Sequence, residues 1–204
     1  FLESTSLALF GQLSWKVTDA FTIQPGARVN YDKKKGFYQR RVFTGTGAEL
    51  LGTETDARSR AQLGVFQPQV SAPEDTDWNL TYDLTASYEL APDVLGYATY
   101  ARSFKTIGIN QNGLPTGLDG QPIAEAGTIR PEKVDHFELG LKTQFWDRRA
   151  TLNFAGFWTE ISDYQATVNN GQLGVLRGYL ANAGKVRVRG IEADVSVRPS
   201  ERFN

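Results

Sequence analysis

His136 is the single histidine of the chain, and Asp135 and Glu138 lie within two residues of it, so these are the side chains best suited by type to act as a base or as metal ligands. An imidazole needs a Ser or Cys partner, or further ligands, for either chemistry, and the 204 residues contain no cysteine. Adjacent strand residues face opposite ways, which separates Asp135 from His136 and leaves Glu138 on its face. The expectation is a hydrogen-bonded strand-face histidine; no catalytic, cofactor-binding or metal residue is assigned.

Glu192 and Asp194 share one strand face about 7 Å apart, a separation that suits paired-carboxylate hydrolysis or calcium. Their plainer role is to pair with Arg or Lys of neighbouring strands. The run Asp32-Lys33-Lys34-Lys35-Gly36-Phe37-Tyr38-Gln39-Arg40-Arg41 mixes bases with aromatics and could meet phosphates or an anionic ferric chelate, although a solvated loop base explains it too. Thr44-Gly45-Thr46-Gly47 and Gly171-Gln172-Leu173-Gly174 lack the Lys-Ser/Thr of a phosphate loop. Asn79-Leu80-Thr81 matches a glycosylation acceptor only by chance.

The elements that must carry these residues are strands. A net charge of -1 argues against a nucleic-acid partner, and 40% hydrophobic residues argue against disorder. No stretch reaches the roughly 18 consecutive apolar residues of a spanning helix. With no methionine at its start and no signal segment, the chain reads as a processed or excised piece.

Alternation of period two runs through Leu7, Leu9, Gly11, Leu13, Trp15 and Val17, then, after a Thr18-Asp19 turn, through Phe21, Ile23, Ala27, Val29 and Tyr31. The figure recurs at 79–104, where Leu80, Tyr82, Leu84, Ala86 and Tyr88 precede an Ala91-Pro92-Asp93 turn. It recurs at 134–162, where Phe137, Leu139, Leu141 and Phe145 oppose His136, Glu138, Lys142 and Gln144 before Asp147-Arg148-Arg149, with Leu152, Phe154 and Trp158 on the return. A further strand at 184–198 carries Ile191, Ala193, Val195 and Val197, with a bulge expected at Arg187-Val188-Arg189-Gly190.

Turns of two or three residues alternate with long polar excursions at roughly 33–78, 105–133 and 163–183. That asymmetry, with arms longer than the roughly 5 or 6 residues of soluble strands, predicts an antiparallel transmembrane β-barrel with short periplasmic turns and long extracellular loops. Trp15, Phe21, Tyr88, Tyr97, Phe145 and Trp146 would form the periplasmic aromatic girdle, while Arg28, Lys142 and Glu192 would face the lumen. About seven strands make only part of a bacterial barrel, whose strand number is even.

Several segments resemble TonB-dependent receptor barrels. Ala8-Leu9-Phe10-Gly11-Gln12-Leu13 through Gly26-Ala27-Arg28-Val29-Asn30-Tyr31-Asp32 is similar to the family's "ALFGQL…GxRxxxD" strand pair. Tyr97-Ala98-Thr99-Tyr100-Ala101-Arg102-Ser103-Phe104-Lys105 resembles "YASYSRGFK". Arg130-Pro131-Glu132 with Glu138-Leu139-Gly140-Leu141-Lys142 resembles "PExxxxxELGxK", and Asn182-Ala183-Gly184 with Arg189-Gly190-Ile191-Glu192 resembles "NxGxxxxxGxE".

The resemblance implies that residues 1–204 are part of one barrel domain of about 22 strands enclosing an N-terminal plug that this sequence does not contain. It implies a bacterial outer-membrane receptor, not an enzyme, importing a small nutrient ligand. A ferric siderophore comes first, with cobalamin or an oligosaccharide as alternatives, and a passive porin is the competing class. The implied partners are the TonB complex, acting through the plug, and outer-membrane lipid and lipopolysaccharide. No cofactor is implied, and the ligand-binding residues stay unassigned.

Overall fold

A computed structural model describes residues 1–117, 121–169 and 178–200. Seven long strands dominate: β1 Leu2–Gln12, β2 Phe21–Gly36, β3 Glu74–Ala91, β4 Val94–Lys105, β5 Glu132–Phe145, β6 Ala150–Ser162 and β7 Val186–Val197. Each pairs antiparallel with its neighbours in sequence, giving one open meander that the two-residue strand Trp15–Lys16 joins against β2. Every reversal at one end is short. β3 and β4 are joined by Pro92 and Asp93, and β5 and β6 by residues 146–149, where Trp146, Asp147 and Arg148 all adopt positive φ. At the other end lie segments 37–73, 106–131 and 163–185.

The first long excursion is thus shorter than the sequence suggests, because β2 runs on to Gly36 and β3 starts at Glu74. Lys33 and Lys35 hold that extension by pairing with Glu74 at 2.8 and 3.6 Å. β1 is displaced toward the N-terminus and breaks at Leu13-Ser14 before Trp15–Lys16.

Register fixes the two faces. One row joins Leu84, Tyr100, Phe137, Trp158 and Arg189; the next toward the short turns joins Ala86, Ala98, Leu139, Gly156 and Ile191. Leu9, Leu139 and Ile191 on this side are 80, 68 and 73% exposed, the carbon surface expected of the outer face of a transmembrane barrel. The opposite face carries Arg28, His136, Glu138, Lys142 and Glu192, as lumen residues should be.

Two further expectations fail. No bulge occurs at 187–190: β7 pairs with β6 without interruption from Val186↔Ile161 to Val197↔Ala150. The polarity pattern slips there because Arg187 and Arg189 keep their regular outward positions, where both guanidiniums stack on Trp158. The register shift lies instead between Glu89 and Ala91. Tyr97, expected in the girdle, faces the lumen opposite Ser87 and Gly140. Trp15, Phe21, Tyr88 and Phe145 do lie on the apolar face.

Apolar burial concentrates in the long loops. Val42, Leu50 and Leu63, the last from helix α1 (Ala57–Val65), form one small cluster, and Ile107 is 1% exposed.

Candidate functional site

The lumen wall at the centre of the sheet is a polar cluster built by strand alternation. His136 Nδ1 lies 2.8 Å from Thr159 Oγ1, its directly opposed neighbour on β6, and Nε2 lies 3.6 Å from Glu138. The Tyr97 hydroxyl donates to Glu138 at 2.7 Å, and Lys142 sits 5.2 Å above the Tyr97 ring. Tyr97 reaches across because Gly140 stands opposite; a Cβ there would overlap the ring. Phe157 likewise lies over Gly190 and stacks on His136. Asp135 leaves this cluster, as expected: on the other face it accepts from Tyr100 at 2.8 Å and lies 3.7 Å from Arg102.

Toward the long-loop end the same wall becomes acidic. Asp32 and Asp77 are in direct register, two carboxylates facing each other. Asp32 is 6% exposed and accepts from Ser6 at 2.5 Å, while Asn79 donates to Asp77 at 2.7 Å, so the side chain of the glycosylation-like motif is a lumen hydrogen-bonding group. Arg28 stacks on Phe10 and donates to Asn30 at 2.6 Å. Asn153 donates to Asp194 at 3.4 Å, and Glu192 stands opposite Ala155. Among the described residues no three His, Cys, Asp or Glu side chains gather to hold a metal.

The basic run at 32–41 is engaged throughout. Lys34 donates to the Ile107 carbonyl at 2.8 Å, Arg40 to that of Gln67 at 2.6 Å, and Arg41 forks onto Glu49. That guanidinium holds the Glu49 carboxyl below the usual range; backbone amides do the same for Glu54, and the Ser59 amide for Asp56, the N-cap of α1. Thr44-Gly45-Thr46-Gly47 forms the turn between the paired segments Val42–Phe43 and Glu49–Leu50, with Gly47 at φ 87°. Gly171-Gln172-Leu173-Gly174 lies outside the described residues.

The sequence gives no hint that buried amides stitch the three long segments together. Asn110 donates to the carbonyls of Ala126 at 2.6 Å and Leu180 at 2.8 Å, and accepts from the Leu180 amide at 2.7 Å. Gln69 makes a two-way bond with Leu114, and Gln165 donates to Thr106 and Arg130. Around these clamps, Arg40, Gln67, Asn112 and Tyr179 line a polar cleft between segments. The arrangement can present a fixed polar surface at the barrel mouth.

The family model for TonB-dependent receptor-like β-barrels matches residues 2–204. The pesticin receptor of Yersinia enterocolitica is 29% identical over 199 residues, covering 97% of this chain and 24% of that receptor. The probable TonB-dependent receptor BfrD of Bordetella pertussis is 27% identical over 74% of the chain and 19% of its own length. Among solved structures, the ferric yersiniabactin uptake receptor FyuA of Yersinia pestis superposes with a TM-score of 0.68 at 24% identity, over 98% of this chain and 25% of that one. The chain spans about a quarter of the length of the pesticin receptor it matches.

Proposed function

Because this chain belongs to the TonB-dependent receptor β-barrel family, a family of outer-membrane proteins of Gram-negative bacteria, we propose that its parent protein imports a ferric siderophore, driven by the TonB system. Residues 1–204 supply part of the barrel wall and three extracellular loops. In this reading the plug, which meets both cargo and TonB, lies elsewhere in the parent, and lipid and lipopolysaccharide surround the wall. The observation that carries the reading is the family match along nearly the whole chain; the 29% identical pesticin receptor supports a receptor over an enzyme. Siderophore is the cargo that the sequence resemblance implies.

The lumen chemistry fits a plugged barrel. A wall of directly opposed polar side chains, with Asn30 Nδ2 left without a partner among the described residues, offers hydrogen-bonding groups to a protein surface inside. The test is uptake of radiolabelled ferric siderophores by cells carrying the full-length parent, with and without TonB. TonB-dependent accumulation is expected. TonB-independent, unsaturable entry would establish a passive pore, and saturable uptake of cobalamin or an oligosaccharide would reassign the cargo.

A further inference from the structure

Segment 106–131 holds two neighbouring residues that can react with each other. Asn112 is exposed and is followed by Gly113. The amide carbon of an asparagine is an electrophile within reach of the next residue's backbone nitrogen, and their union closes a five-membered imide. A side chain on the second residue hinders that attack, and glycine has none. Hydrogen bonds that hold the asparagine side chain or the backbone N–H in place hinder it too.

Other asparagines of the chain are held. Asn110 is followed by Gln111, is 4% exposed and donates to the Ala126 and Leu180 carbonyls. Asn79 donates to Asp77, Asn153 to Asp194, and Asn182 to the carbonyls of Arg130 and Asp163. Among the described residues, neither the Asn112 side chain nor the Gly113 amide has a hydrogen-bond partner. The loop needs the glycine: its φ is 90°, and a Cβ would stand 3.0 Å from both Arg40 Nη1 and Gln69 Oε1. Arg40 donates to the Gln67 carbonyl and lies 3.5 Å from the Tyr38 hydroxyl, with no acidic partner among the described residues. A guanidinium so close to Gly113 favours the anion left when a nearby amide gives up its proton.

We propose that Asn112 deamidates spontaneously and that the change releases a clamp between two of the long segments as the protein ages. Hydroxide takes the Gly113 amide proton, and the nitrogen attacks Asn112 Cγ. The Cγ–Nδ2 bond breaks, and ammonia leaves with a proton from water. A second water then opens the imide at one of its two carbonyls, giving aspartate or the β-linked isoaspartate, so the net change is water in and ammonia out. Either product puts a carboxylate in the cleft that Arg40 lines. The β-linked product also adds a methylene to the main chain two residues before Leu114, whose amide and carbonyl are both held by Gln69. That bond ties segment 37–73 to segment 106–131, and a lengthened backbone pulls it out of register. None of this depends on the cargo.

The test is to age the full-length receptor in detergent at neutral pH and follow residue 112 by peptide mapping that separates it from Asn110 and from the sequence's other Asn-Gly pair, Asn170-Gly171. Conversion at residue 112 should be at least as fast in the folded receptor as in the same receptor unfolded in urea, with Asn110 unchanged when folded. Its rate should rise about tenfold per pH unit, as the amide anion does. Hydrogen exchange at the Leu114 amide should accelerate several-fold in the converted receptor and stay slow in equally aged Asn112→Gln. Conversion more than about tenfold slower in the folded than in the unfolded receptor would overturn the proposal, since it would mean that the fold protects this amide. So would unchanged exchange at Leu114 once residue 112 has been converted.

Discussion

The hydroxyl of Tyr97 donates to Glu138 at 2.7 Å from a ring laid flat over Gly140. Three strand positions thereby act as one unit on the lumen wall: a glycine that leaves room, a ring that occupies it and a carboxylate that orients the ring. Lys142 closes the unit from above, 5.2 Å from the ring centre.

Gly140→Val should therefore expel Tyr97 and break its bond to Glu138. The expected cost is about 1–3 kcal/mol, the range for overpacking a filled site. A lowered midpoint in urea unfolding of the full-length barrel in detergent would register it. Tyr97→Phe, which keeps the ring and loses only the bond, should cost about 1 kcal/mol.

Asn110 serves two loops at once, so Asn110→Ala removes the side-chain partner of the Leu180 amide and of two half-buried carbonyls. A loss of about 1–3 kcal/mol of local stability is expected. Limited proteolysis of the intact receptor on cells should show faster cleavage in both 106–131 and 163–185. Faster cleavage in one segment alone would mean that Asn110 does not couple them.

The segment at 49–56 should be acid-sensitive. Glu54 accepts from the amides of Leu51 at 2.6 Å and Gly52 at 2.9 Å, and Asp56 from Ser59 at 2.9 Å. Those bonds depress both carboxyls, and Arg41 depresses Glu49. A depressed carboxyl contributes stability that is complete above its unfolded pKa and is lost as pH falls through the lower folded value. Amide exchange at Leu51 and Gly52 should stay slow at neutral pH and accelerate only below the ordinary carboxylate range. Glu54→Gln should weaken their protection already at neutral pH.

The two faces should differ sharply in tolerance for charge. Leu139→Arg places a cation in the middle of the lipid band, at an expected cost of about 2–4 kcal/mol. Ala155→Arg, opposite Glu192 on the lumen wall, should be far better tolerated. Folding yields into vesicles across a urea series would compare them, and equal losses would show that the faces are wrongly assigned.

Much of this was legible because a strand's alternation is local. Leu80, Tyr82, Leu84, Ala86 and Tyr88 announce one apolar side without reference to any partner, and Pro92-Asp93 and residues 146–149 announce their turns by composition. Hairpins, faces and the contrast between short and long connections follow from such signals. β4 shows where they end. Gly96, Ala98 and Tyr100 on one side and Tyr97, Thr99 and Ala101 on the other are equally plausible lipid faces, and only pairing with β5 turns Tyr97 inward. The expected bulge at 187–190 failed for the same reason, because Trp158, which holds Arg187 and Arg189 outward, lies on another strand.

Period and turn chemistry are properties of neighbouring residues, and they suffice to make this chain a meander of long amphipathic strands with its long loops at one end. That Asn110, Gln69 and Gln165 lock those loops together, and that two arginines share one indole on the outer face, emerges only in the folded chain. Those relations join residues tens of positions apart, through strand register and loop packing that no local pattern encodes.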